Sequence, residues 1–297
     1  MSAYHVGVLK KELIEYLQVK GGDLYIDATI GGGTHTFEIL KRGGRVLGID
    51  QDKEAIDYVR SQSQREKGKV QIGKNLILVK SNFTHIKKIA HEYGFASVSG
   101  IIFDLGVSSH QLEEGKRGFS FLKEGKLDMR MDKETNVNAT DLINNLDKRR
   151  LNEIFQTYGQ EKFSLAIAGA ICSARQIKPI QMTTELAEIA AEVYRKNRIY
   201  DTKIHPATRI FQAIRIVINS ELLNLESTLP QTIELLKDNG RLAIISFHSL
   251  EDGTVKRFFK REPKLKVITK KPIGPQVEEL KENPRSRSAK LRVAEKI

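Results

Sequence analysis

The 297-residue sequence predicts an α/β fold: an open, largely parallel sheet with a terminal antiparallel strand and an inserted, mainly helical domain. Three observations predict it. Short apolar runs alternate with helical patterns through the first third of the chain, and three of those runs end in an aspartate. Strand signals then fade from Leu112 to about Phe211, before the run GRLAIISF at 240–247 resumes the sheet.

The chain opens on a helical pattern, KKELIEYLQV, whose apolar stripe includes Leu9, Leu13, Ile14 and Leu17. Leu24–Ala28 reads as the first strand. The turn Thr29–Thr36 follows, with Gly31, Gly32 and Gly33 at its centre, then a helix over Thr36–Lys41 closed by Gly43 and Gly44. Arg45–Ile49 is a second strand ending at Asp50, and Asp52–Glu66 has helical composition. Asn75–Val79 is a third strand, with Asn82 and Phe83 at its carboxyl end; His85–Tyr93 is the next helix, and Ser99–Asp104 a fourth strand. Asp27, Asp50 and Asp104 are thereby expected on one edge of the sheet, the carboxyl edge on which open α/β folds bind ligands.

Helical patterns at 139–145, 149–158, 161–175 and 184–195 fill the insertion, and a helix over 211–225 returns the chain to the sheet. This divides the chain into a first sheet segment at 1–111, an insertion at 112–211 and a closing sheet segment at 212–297. Strand 240–247 leads through His248-Ser249-Leu250-Glu251-Asp252 into a helix over 254–261. Residues 262–275 are basic and poorly patterned, and 289–294 suits an edge strand.

Composition narrows the partners. The net charge is +12, and residues 256–297 hold fourteen Lys or Arg against five Asp or Glu, so a polyanion such as nucleic acid is the natural partner. Cys172 is the only cysteine, which excludes an intramolecular disulfide and a cysteine-held metal cluster; its helical context predicts a small buried hydrophobe. No run of 18 apolar residues and no signal-peptide core occur, so a cytoplasmic protein without membrane association is expected.

The glycine turn carries the first chemistry. Glycines bring backbone N–H groups close to a ligand, and Asp50 is spaced to accept from the two hydroxyls of a ribose. Thr36 stands where a dinucleotide fingerprint has its helix-packing glycine, and Asp27 would sit awkwardly against a pyrophosphate but well beside the cationic end of S-adenosylmethionine. A methyltransferase is favoured on this pattern, with a nicotinamide-dependent oxidoreductase and a purely structural turn as alternatives. Asp104 is the catalytic candidate, able to orient an exocyclic amine toward a methyl donor. His205, His248 and Asp252 suggest acid–base chemistry, but no HxH or HExxH spacing exists and no metal is expected.

Longer strings carry a definite resemblance: DATIGGGTHT from Asp27, GIDQD from Gly48, FDLGVSSHQLE from Phe103, RGFSF from Arg117 and LDMRMD from Leu127, then YGQEKF from Tyr158, HPATRIFQAIRIVINSEL from His205, GRLAIISFHSLED from Gly240 and NPRSRSAKLR from Asn283. Along its whole length the chain resembles the bacterial and organellar small-subunit ribosomal RNA cytosine-N4 methyltransferases. The resemblance implies a Rossmann-like methyltransferase sheet with an inserted helical domain, S-adenosylmethionine as cofactor, and a cytosine of 16S ribosomal RNA, free or in the small subunit, as substrate, without an obligate protein partner. By motif position it implies cofactor contacts at Gly33, Thr34, His35, Asp50, Phe83, Asp104 and Gln111. Arg117, Arg130, Arg209, His248, Asp252, Arg285 and Arg287 are the candidates for RNA or active-site entry. Three residues depart from the family pattern: Gly7 replaces a proline in the N-terminal His-x-Pro-Val-Leu string, Thr34 replaces a glycine, and Gln160 replaces a glutamate. A non-catalytic RNA-binding or assembly protein on the same sheet is the remaining alternative.

Overall fold

Seven strands form one sheet in the computed structural model, which describes residues 7–66 and 70–297. His5, which opens the N-terminal string, lies outside the described residues. The strands are β1 (Leu24–Asp27), β2 (Arg45–Asp50), β3 (Leu76–Lys80), β4 (Val98–Asp104), β5 (Leu236–Ser246), β6 (Leu265–Val267) and β7 (Lys290–Lys296). Their order is β3-β2-β1-β4-β5-β7-β6. The first five are parallel; β7 runs antiparallel to β5, and β6 antiparallel to β7. The order reverses direction between β1 and β4, which makes their carboxyl ends the switch point of the sheet.

Side chains alternate along the strands into two cores, as a period of two requires. Ile26, Leu47, Ile101, Phe103, Leu242 and Ile244 pack on one face with Leu225, Leu229 and Ile233. Tyr25, Val46, Ile102, Ala243 and Ile245 pack on the other with Leu13, Leu17 and Ile39. Burial on both faces explains why the strands read as continuous apolar runs rather than alternating ones.

Two differences from the sequence reading concern the carboxyl-terminal half. The terminal strand is not at the edge: β7 lies between β5 and β6, and the edge is β6, inside the segment read as unpatterned. Three residues of which one is buried give no periodicity to read. The helix expected over 211–225 is two helices, Thr208–Ile218 and Glu221–Leu235, parted where Ser220 takes a positive φ of 51°.

The chain separates into two compact units, Met1–Ser108 with Leu222–Ile297, and Ser109–Glu221. The first holds the sheet. The second holds helices Ala139–Asn145, Lys148–Thr157, Ser164–Ile177, Thr183–Lys196 and Thr208–Ile218, so the last of these packs with the insertion rather than beginning the return to the sheet. Cys172 is half-buried on its helix, not the enclosed hydrophobe expected.

Candidate active site

At the carboxyl edge of β1 the backbone turns through Gly31 and Gly33, both at positive φ (49° and 78°), into helix Thr34–Lys41. Gly33 is the cap residue, and no side chain caps the helix start. A Cβ at Gly33 would stand 2.8 Å from the Phe37 ring, so glycine is required by backbone angle and by space together. The helix opens with backbone N–H groups aimed at the turn, a favourable place for a carboxylate.

Asp50, at the end of β2, ties this turn down. Its Oδ2 accepts from Gly31 N at 2.9 Å and its Oδ1 from Asp52 N at 2.8 Å. Burial pushes the carboxyl up to about 6 against the pull of those two N–H groups. Each oxygen retains a lone pair for a ribose hydroxyl.

Asp27, His35 and Asp104 are buried together. His35 Nε2 lies 3.3 Å from Asp104 Oδ2, with both side chains almost wholly enclosed. Burial works against the imidazolium, but the Asp104 carboxylate and the nearby Asp27 outweigh it and raise the His35 pKa. Burial also raises that of Asp27, whose Oδ2 accepts from Thr36 Oγ1 at 2.7 Å and whose Oδ1 accepts from Thr29 N at 3.3 Å. Among the described residues, His35 Nδ1 is buried with no hydrogen-bond partner. A buried polar atom of that kind, beside two carboxylates and an uncapped helix start, fits a ligand carrying both carboxylate and cation.

Phe83 opens a short 3-10 turn (Phe83–His85) just past β3 and is half-buried, packed edge-to-face on Phe103 with ring centroids 5.5 Å apart. Beside it Asn82 Nδ2 donates to Gln51 Oε1 at 2.8 Å, joining the β3 end to the β2 end.

Sequence reasoning missed three supports. Thr29 Oγ1 accepts from Asp104 N at 2.6 Å and fixes the end of β4. Thr36, read only as a missing glycine, holds Asp27. Glu279 Oε1 accepts from Leu9 N at 2.8 Å, across 270 residues, a contact that no local pattern could reveal. Two of the three departures from the family pattern prove to be one: Gly7 N donates to Thr34 Oγ1 at 3.2 Å, and a Cβ at position 7 would lie 2.6 Å from Thr34 Cβ. A bulkier residue at 34 is accommodated by the smallest residue at 7.

The remaining candidates sort by what their side chains already do. His248 caps helix Ser249–Arg261, its Nδ1 accepting from Glu251 N at 3.4 Å while Glu251 Oε2 accepts from Phe247 N at 2.8 Å. Asp252 is held by Arg292, Nε to Oδ1 at 2.6 Å and Nη2 to Oδ2 at 3.2 Å, with Lys290 3.7 Å away. Arg285 and Arg287 are exposed on a 3-10 turn anchored by the buried Ser286. Within the inserted unit, Gln111 is buried on helix Ser109–Glu113. Arg117 is also buried and donates through Nη2 to the carbonyls of Arg130 and Met131 at 3.2 and 3.0 Å. Arg130 makes a two-pronged pair with Asp128, both distances 2.8 Å. Arg209 Nη1 donates to Gln160 O at 2.7 Å.

A parallel sheet with this order, a glycine turn after β1, a ribose-spaced acid after β2 and a further acid after β4 define an α/β enzyme for a nucleoside-bearing cofactor. The chain belongs to the MraW methylase family, whose model matches residues 2–297. It is 45% identical to the ribosomal RNA small subunit methyltransferase H of Carboxydothermus hydrogenoformans, over 100% of this chain and 99% of that one. The same-named proteins of Finegoldia magna and Clostridium botulinum strain Loch Maree are 40% and 43% identical, each over the full length of both chains. A solved rRNA methylase from Streptococcus thermophilus aligns at 11% identity and a TM-score of 0.45, over 97% of this chain and 93% of that one. Methyl transfer from S-adenosylmethionine is the family's chemistry and this chain's.

Proposed function

We propose that the acceptor is the exocyclic N4 of one cytosine in small-subunit (16S) ribosomal RNA, near the decoding centre, and that the protein acts in the cytoplasm. The observation that carries this is the buried acidic cluster Asp27–His35–Asp104 beside an uncapped helix start, in a chain whose full-length relatives carry the name of a ribosomal RNA methyltransferase. Among the described residues no helix is long and apolar enough to cross a membrane.

Bound at this edge, S-adenosylmethionine would supply a sulfonium methyl group, the N–C bond forming as the S–C bond breaks, with S-adenosylhomocysteine as leaving group and the amine proton released to water. The chain's own residues do the rest. Gly33, Thr34 and His35 offer main chain at the helix start to the cofactor's carboxylate. Asp27 and Asp104 supply negative charge for its cationic end. Asp50 accepts from the ribose hydroxyls, and Phe83 covers the adenine. Asp104 accepts a hydrogen bond from the cytosine amine and holds it in the geometry of attack; His35, 3.3 Å behind, orients that carboxylate. The resemblance also assigns Gln111 to the cofactor.

The test compares the modified-base profile of small-subunit RNA from cells with and without the protein, together with transfer of labelled methyl by the purified chain. Loss of one N4-methylated cytosine and its return on complementation are expected. Label found only on protein, DNA or small molecules refutes the acceptor.

A further inference from the structure

Within the inserted unit an exposed imidazole is built into an aromatic stack. The His205 ring lies against Phe121 with centroids 4.6 Å apart and an interplanar angle of 28°, and Phe121 in turn abuts Phe211 edge-on at 5.0 Å. Phe211 is buried and Phe121 half-buried, so the stack rises from the core of the unit and ends at His205, which is exposed. One face of the imidazole is covered by Phe121; its exposure therefore belongs to the opposite face and the ring edge. The ring is also fixed in plane. Ala207 N donates to His205 Nδ1 at 3.1 Å, which leaves the proton of the neutral ring on Nε2, away from the backbone.

An exposed ring that is oriented by a backbone hydrogen bond and backed by a second ring has already lost most of its rotational freedom. A flat partner that stacks on it pays little further ordering entropy. The sequence around it is cationic, with Lys203 exposed and Arg198 exposed. We propose that the Phe121–His205 stack is a binding platform for an unpaired nucleobase of the RNA substrate, with Nε2–H available to a carbonyl or ring nitrogen on that base. Base–aromatic stacking is the usual way proteins hold single-stranded nucleotides next to a basic surface. The inference rests on RNA being the substrate and adds a recognition residue that the methyl-donor site does not use.

Two experiments test it, and only one depends on turnover. A single-stranded oligoribonucleotide from the small-subunit RNA, carrying 5-iodouridine at unpaired positions, is irradiated with the full-length protein and the crosslinked peptide sequenced. Crosslinking to Phe121 or His205 is expected, and crosslinks confined to other segments overturn the platform whatever the methylation result. In the second, His205→Ala raises the KM for RNA about tenfold, towards the low end of what one stacked base contributes, while kcat and the affinity for S-adenosylmethionine stay at wild-type values. His205→Phe, which keeps the stacking surface, restores KM to within about twofold. A wild-type KM in His205→Ala, or equal impairment in His205→Phe, refutes stacking. Failure of the wild-type protein to methylate RNA while the crosslink forms counts against the acceptor assignment and leaves the platform supported.

Discussion

Asp50 has to serve two conflicting conditions. It is placed to accept hydrogen bonds from two hydroxyls, which the carboxylate does best, yet burial raises its pKa from 3.8 to about 6. In the ligand-free protein the native state therefore holds a proton on this group that the unfolded state has already lost between those two values. Its contribution to stability is fully present below pH 3.8 and is lost as pH rises through about 6. Ligand binding runs the other way, because only the ionised form offers an acceptor oxygen to each ribose hydroxyl without turning one oxygen into a donor. The affinity for S-adenosylmethionine is expected to fall as pH drops through about 6, approaching tenfold per unit below it. Calorimetric titration between pH 5 and 8 checks this. Asp50→Asn, which removes the titration, weakens binding at pH 8 and flattens the profile; a wild-type affinity constant across that range excludes the assigned role.

At the scale of single elements, a charge pair ties β7 to helix Ser249–Arg261. Arg292 of β7 is enclosed, and its guanidinium meets both oxygens of Asp252 from helix Ser249–Arg261. Asp252→Ala would leave that cation buried with Lys290 as its charged neighbour, a loss of about 3–5 kcal/mol in urea unfolding. Replacing Arg292 with Leu in the same chain should recover part of it, since the uncompensated charge is then gone. A deficit under about 1 kcal/mol in Asp252→Ala would show that water already reaches the guanidinium. The same elements mark how far sequence reasoning reaches. β1, β2 and β4 were legible because each is a buried apolar run closed by an aspartate and followed by a turn or helix signal. β6 was not, because three residues carry no period, and β7 was misplaced to the edge because its partner strand could not be seen. The site divides in the same way. Gly33, His35, Asp50 and Asp104 each lie on a short motif at or just past a strand end, whereas the acceptor on Leu9, Glu279, comes from the far end of the chain. Asp252 and Arg130 looked available for RNA in the sequence because the arginine and aspartate that occupy them, Arg292 and Asp128, are visible as partners only in three dimensions.

Over the whole molecule the charge is distributed unevenly in use as well as in position. Of the fourteen basic residues in 256–297, Lys290 and Arg292 are drawn to Asp252, and Lys296 donates to the carbonyls of Ile233 and Leu236. Lys264, Lys266, Lys270, Lys271 and Arg287 are exposed, as is Arg285. Arg285 and Arg287 flank Ser286, which is fully buried and whose Oγ donates to Asn283 O at 2.7 Å, so the turn that presents them is anchored from below. Cations presented from an anchored turn contact phosphates without a large ordering cost, and each such contact releases counterions. Replacing Arg287 with alanine should lower the magnitude of the slope of log affinity against log salt by about 0.7 to 0.9 for RNA, with little change in unfolding free energy. Arg149 and Arg195 supply the control, since each is paired with glutamates on its own helix, Glu153 for the first and Glu188 and Glu192 for the second. Their replacement should leave the slope within about 0.5 of wild type, because a charge already neutralised by an acidic neighbour displaces few ions. Filter binding of small-subunit RNA at four or more salt concentrations separates the two cases. Equal slopes for Arg287→Ala and the control variants would mean that the basic carboxyl-terminal segment acts only through net charge, with no phosphate seated on Arg287.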